Sequence, residues 1–304
     1  MTGNKKTIAG VCCAVATPFN ADLSIDHDAM AAHCSTLLAE GVAFLAVAGT
    51  TGEANSLSLI ERKILIENLV RDGIPADRLL PGTGLNSVSE TVELTKHAAD
   101  IGVAGVVMLP PHYYKSPSDA GVIDFFHHVF EQAGAAMPPC ILYNIPQMSG
   151  VALNLDIVSA IKGHFPDQVV GIKDSSGDVE NMRDMRTHIH DFAVFPGADP
   201  LMKELLPEGA AGCITATSNL VSKELVSVYR AAQGTGSDEA ATHAQSKIVE
   251  AREMSNIGPQ IATIKAMLSI RYKYPGWSRM RPPLRPIAEA LLQTLRDQSS
   301  VFVS

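Results

Sequence analysis

Short runs of almost uninterrupted apolar residues recur along the chain, at positions 11–16, 42–48, 79–81, 103–109, 140–143, 169–173, 193–195 and 212–215. None alternates strictly between apolar and polar positions. Parallel strands read this way when helices cover one face and a packed interior covers the other. Between the runs lie amphipathic stretches with helix punctuation. Ser58 with Glu61, and Ser87 with Glu90, have capping-box spacing, and Gly41, Gly73, Gly102 and Gly134 stand where helices should end. The pattern predicts a βα unit repeated eight times. Eight such units with short loops fit a closed (β/α)8 TIM barrel better than an open doubly wound sheet, which would bring a GxGxxG turn that this sequence lacks.

After Gly234 the strand signals stop, and helical patterns follow at 237–255, 260–274 and 286–298, joined by the segments 234–237 and 279–286. The expected organisation is therefore α/β, with a catalytic barrel over 1–234 and a C-terminal helical region over 235–304.

Composition narrows the function classes. With 304 residues, 46% of them hydrophobic and 18% charged, the chain can bury a large core and carries no signature of disorder. A net charge of -8 argues against nucleic acid or an anionic membrane as partner, because both reward clustered Lys and Arg. The stretch from Met1 to Lys6 leads into only a strand-length apolar run, so no signal peptide is expected, and no run of 18 apolar residues offers a membrane span. Cys12, Cys13, Cys34, Cys140 and Cys213 are odd in number and lack CxxC spacing. They read as buried thiols of a reducing cytosol, and the expected location is cytoplasmic.

In a barrel of this kind the active site lies at the C-terminal ends of the strands. Three ends carry unusual polar residues: Gly49-Thr50-Thr51-Gly52-Glu53 after the second run, Tyr143-Asn144-Ile145-Pro146 after the fifth, and Lys173-Asp174-Ser175 after the sixth. Burying a lysine disfavours its ammonium form, and a neutral amine can attack a ketone to form a Schiff base. The protonated imine is an electron sink, so a neighbouring C–C bond can break or form through an enamine. The plainer alternative for Lys173 is a structural ion pair with Asp174 or Glu53. Tyr143 could carry the proton that imine chemistry needs, with Thr50 as a middle link, or it could be a core aromatic. The Gly-Thr-Thr-Gly turn suits a carboxylate, since glycines let backbone N–H groups approach closely, but it also makes an ordinary tight turn. The pairs His27 and His33, His127 and His128, and His188 and His190 have no metal-site spacing, and no GxxxxGK loop is present. No cofactor and no metal is expected.

Taken together, Gly49-Thr50-Thr51-Gly52-Glu53, Leu109-Pro110-Pro111-His112-Tyr113-Tyr114, Tyr143-Asn144-Ile145-Pro146, Gly171-Ile172-Lys173-Asp174-Ser175-Ser176-Gly177 and Phe195-Pro196-Gly197-Ala198-Asp199 resemble the dihydrodipicolinate synthase/N-acetylneuraminate lyase superfamily. The resemblance implies a class I aldolase or lyase acting on pyruvate, or a related 2-oxo acid, and an aldehyde. It implies the imine on Lys173, Tyr143 as proton carrier and Thr50 with Thr51 at the keto-acid carboxylate. Gly49, Ser175, Gly197, Asp199, Thr215 and Met148 complete the implied substrate contacts. A further relay tyrosine, often lent across a subunit interface, falls on Tyr113 or Tyr114; Tyr113 is chosen. That lending implies a homo-oligomer, a dimer or tetramer.

The sequence also departs from the family. Synthases of this superfamily usually carry, after YNxP, an arginine for the second substrate's carboxylate, and Met148 stands there; a thioether cannot replace a guanidinium. Where sialate lyases use a glutamate and a serine, Pro200 and Ala216 stand. The expectation is a 2-keto-3-deoxy-sugar-acid or 4-hydroxy-2-oxoglutarate type of aldolase, with dihydrodipicolinate synthase as the alternative. Arg279 or Arg281 reaching into the mouth would favour that alternative.

Overall fold

In the computed structural model, which describes residues 8–302, seven parallel strands are laid down in chain order: β1 (Gly10–Ala14), β2 (Phe44–Ala46), β3 (Val106–Met108), β4 (Cys140–Asn144), β5 (Val169–Asp174), β6 (Ala193–Pro196) and β7 (Gly212–Thr215). They form two arcs, β2-β1-β7 and β3-β4-β5-β6. The expected run at 79–81 is a strand-like bridge rather than a regular strand. Leu79 pairs with Leu45 and Gly82 with Val107, so the segment joins β2 to β3. Pro81 has no N–H to give, and the ladder is interrupted there although its carbonyl accepts from Val107 N–H at 3.0 Å. At the other seam Ala211 N–H donates to the Val194 carbonyl at 3.0 Å, linking β6 to β7. Eight chain segments thus close the (β/α)8 barrel.

Two apolar clusters explain why the strand runs do not alternate. Val11 and Cys13 of β1, and Cys140 and Leu142 of β4, belong to the layer between barrel and helices, while Cys12, Ile141 and Tyr143 pack inside the barrel. Successive side chains point to opposite faces, and both faces are dry. Ile172 of β5 lies in the outer layer, so Lys173 points inward.

The helix signals are kept with one difference. Ser58 and Glu61 form the complete reciprocal box, whereas at Ser87 only the forward bond forms, from Glu90 N–H to the Ser87 hydroxyl at 3.4 Å. All five cysteines are buried and free. Among the described residues no helix is long and apolar enough to cross a membrane. Residues 1–6, in which no leader was expected, lie outside the described residues.

Helices Asp238–Ser255, Gln260–Tyr272 and Glu289–Asp297 follow the last strand. They pack on the barrel through apolar residues such as Ile248, Ile264 and Leu268, and through one buried charged contact: Lys265, wholly buried, bonds Glu53, also buried, and the second Glu53 oxygen accepts from Arg281 N–H at 3.1 Å. Burial lowers the Lys265 ammonium to about 8, although Glu53 pulls the other way. Removing one partner leaves the other charge buried, which typically costs about 3–5 kcal/mol. Lys265→Ala is therefore expected to lower unfolding stability by about that amount in urea titration, and Glu53→Gln with Lys265→Met should recover most of it. An unchanged midpoint in the single variant would contradict this role.

Candidate active site

Parallel pairing sets Tyr143 on β4 directly beside Lys173 on β5. Both side chains therefore enter the barrel at the same level, near the C-terminal strand ends. Lys173 Nζ lies 4.1 Å from the centroid of the Tyr143 ring. The two residues line a cleft of about 690 Å³, with Thr50, Thr51, Ser175 and Gly197 around them. Gly197 is needed for close approach, because a methyl there would collide with the Ser175 side chain. Burial alone would raise the Tyr143 phenol, but the Lys173 charge and hydrogen bonding with Thr50, Ser175 and Lys173 outweigh it, leaving the phenol below its ordinary range.

The ion-pair alternative for Lys173 does not hold. Asp174 is fully buried and spent on its own loop: it accepts from Asn144 and Asn181 amides at 3.0 Å each, and from Ser176 N–H at 2.8 Å and hydroxyl at 2.5 Å. Glu53 is paired with Lys265. Among the described residues Lys173 has no carboxylate partner, and its amine is held at Tyr143 by hydrogen bonding and contact with the ring rather than by a salt bridge.

The turn after β2 is braced from outside the cleft. Thr17 donates its hydroxyl to the Gly52 carbonyl at 2.8 Å, and Glu53 and Ala54 N–H groups close the turn on Thr50 and Gly49 carbonyls at 3.1 Å each. The N–H groups of Thr50 and Thr51 have no acceptor among the described residues, while both residues line the cleft. Two free donors and two hydroxyls at one place can bind a carboxylate. Gly49 borders a smaller cavity behind Lys173, of about 30 Å³, together with Arg62. Arg62 is buried, its guanidinium donates to the Ala54 carbonyl at 2.5 and 3.1 Å, and burial lowers it to about 10.

The remaining sequence candidates separate. Met148 lines the cleft and is 57% exposed. Asp199 and Thr215 are fully buried and line neither cavity. Tyr113 and Tyr114 stack edge to face at 5.4 Å and are 73% and 77% exposed, away from the cleft. Arg279 donates to the Phe19 carbonyl at 2.9 Å, and Arg281 is forked onto Glu61 at 2.6 and 3.0 Å, so neither reaches the mouth. Two other arginines do line the cleft, Arg252 and Arg285. Both come from the region after the last strand, and no local motif in the sequence marks them.

Comparison with known proteins agrees with this geometry. A sequence model of the dihydrodipicolinate synthetase family matches residues 7–300. An uncharacterized DapA-like lyase of Chloroflexus aurantiacus is 31% identical over 288 residues, covering 94% of each chain. A 4-hydroxy-tetrahydrodipicolinate synthase of Oceanobacillus iheyensis is 31% identical over 294 residues, covering 96% of each. The crystal structure of dihydrodipicolinate synthase from Agrobacterium tumefaciens superposes with a TM-score of 0.87 at 26% identity, covering 98% of this chain and all of that one. With its closed barrel, helical C-terminal region and end-to-end match, this chain belongs to the dihydrodipicolinate synthetase family, an enzyme of the lyase and aldolase class.

Proposed function

We propose that the enzyme is a class I aldolase that joins pyruvate to an aldehyde, or splits the corresponding product, through an imine on Lys173. The observation that carries this reading is the inward Lys173 amine, without a carboxylate partner and 4.1 Å from the Tyr143 ring. Lys173 Nζ adds to the keto carbon, and loss of water leaves the iminium. Removal of a methyl proton gives the enamine, whose carbon attacks the aldehyde; the new alkoxide takes a proton, and hydrolysis frees the amine. Tyr143 carries these protons, with Thr50 as the next hydroxyl. Thr50 and Thr51 hold the keto-acid carboxylate. Tyr113, exposed in the single chain, is assigned as the relay lent to a neighbouring subunit of a cytoplasmic homo-oligomer.

Pyruvate with borohydride tests the imine directly, because hydride reduction traps it as a stable amine. Peptide mass mapping is expected to place the adduct on Lys173; an adduct elsewhere, or none, would overturn the mechanism.

The related synthases favour aspartate semialdehyde as the second reading. One feature opposes it: among the described residues no Asp or Glu lines the cleft to receive that substrate's ammonium, and its carboxylate would have to turn from Met148, which carries no charge, to Arg252 or Arg285. Wild type is expected to condense pyruvate with aspartate semialdehyde poorly, and Met148→Arg to raise that activity relative to an uncharged aldehyde, roughly tenfold for one charge-assisted contact. Steady-state kinetics decide: wild-type kcat/KM above about 10⁴ M⁻¹s⁻¹ would restore the synthase reading.

A further inference from the structure

The cleft in front of Lys173 is larger and more apolar than two small polar reactants require. Its volume, about 690 Å³, falls within the roughly 300–1,000 Å³ that encloses ligands of drug size. The half nearest Lys173 is polar, but the C-terminal region supplies the facing wall, with Ile261, Met280, Leu284, Ile287 and Leu291. A polyhydroxylated aldehyde would set hydroxyls against that wall without partners, which is unfavourable.

The charges in the cleft are of one sign. Lys173, Arg252 and Arg285 line it and, among the described residues, no carboxylate does, in a chain of net charge -8. Arg285 is exposed and makes no hydrogen bond or ion pair among the described residues. Arg252 is 23% exposed, with Nη1 3.5 Å from Asp199 Oδ2. Asp199 is fully buried, and neither of its carboxylate oxygens has a hydrogen-bond partner. It holds the guanidinium by charge at a distance that leaves the Arg252 N–H donors for a ligand. Asp199, named in the sequence as a substrate contact, acts on this geometry as a positioning residue.

We infer that the aldehyde substrate has an apolar body, aromatic or branched aliphatic, and ends in a carboxylate or comparable anion that Arg285 and Arg252 receive. The inference rests on the pyruvate-imine reading above. An aldehyde of this kind buries its body against the C-terminal wall, sets its carbonyl at the enamine and its anion at the guanidiniums. A substrate bearing an ammonium meets two guanidiniums and no acid.

The test uses the full chain with pyruvate and four aldehydes: para-carboxybenzaldehyde, benzaldehyde, glyceraldehyde and aspartate semialdehyde. The carboxylated aromatic aldehyde is expected to exceed benzaldehyde in kcat/KM by about tenfold or more, as a charge-assisted contact allows, and both to exceed the two small polar aldehydes. In Arg285→Gln, an exposed position whose loss leaves no buried charge, the preference for the carboxylated aldehyde should fall toward unity, mainly through KM. Arg252→Gln should act in the same direction. Glyceraldehyde or aspartate semialdehyde as the best substrate, or an undiminished preference in both variants, would overturn the inference. Borohydride trapping on the same wild-type preparation separates the two levels. Lys173 labelled with the wrong aldehyde order removes only this inference, whereas an unlabelled Lys173 removes the imine mechanism as well.

Discussion

Lys173→Ala is expected to abolish borohydride trapping by pyruvate and to lower aldol turnover by about 10⁴-fold or more, the scale on which covalent enzymes lose activity with their nucleophile. The variant should nevertheless fold. Lys173 has no carboxylate partner among the described residues, so its removal strands no buried anion, and the neighbours it leaves are the Tyr143 ring and the open cleft. Its effect on stability should stay within the roughly 0.5–3 kcal/mol of ordinary substitutions, in contrast to Lys265→Ala. That contrast is itself a check, because one lysine belongs to the chemistry and the other to the packing. An alanine variant that is still labelled, or that unfolds while Lys265→Ala does not, would reverse the two assignments.

Where the chain announced itself, it did so through short-range rules. The parity of β5 turns Lys173 inward once Ile172 faces the helices, and β4 sets Tyr143 beside it by register, so the central pair follows from strand geometry. The apolar run at 79–81 predicts a strand equal to the others, but Pro81 breaks the ladder without breaking the barrel. Arg252 and Arg285 were invisible for a different reason. They belong to the region after the last strand, and which of its side chains meet the mouth depends on how it docks through contacts such as Lys265 with Glu53, far apart in sequence. Arg281, from the same C-terminal region, is instead drawn to Glu61 and to the Leu23 and Ser56 carbonyls. Asp199 and Thr215, which the resemblance implies as substrate contacts, are fully buried and stay off the cleft surface. The choice between Tyr113 and Tyr114 turns on a neighbouring subunit, because within one chain both project into solvent.

Tyr143→Phe should cut turnover by about 10²–10⁴-fold, the usual worth of a placed general acid or base. The ring that packs beside Lys173 is kept, so stability and pyruvate trapping should survive even as proton transfer fails. The pH profile supplies a second readout. The phenol lies below its ordinary range because the Lys173 charge and the hydroxyls of Thr50 and Ser175, with the Lys173 amine, together outweigh the burial that would raise it. Deprotonation removes the acid form, so the alkaline limb of wild-type kcat/KM should begin below the usual phenol value of about 10. In Tyr143→Phe that limb should disappear while the residual rate stays low across the range. Thr50→Val, which removes one of the hydroxyls that hold the phenol down, should move the limb upward and slow turnover less than the loss of the phenol itself. Near-normal turnover in Tyr143→Phe, or a limb unmoved by both substitutions, would return Tyr143 to the barrel core as a packed aromatic and leave the proton carrier to be found among the cleft's other hydroxyls.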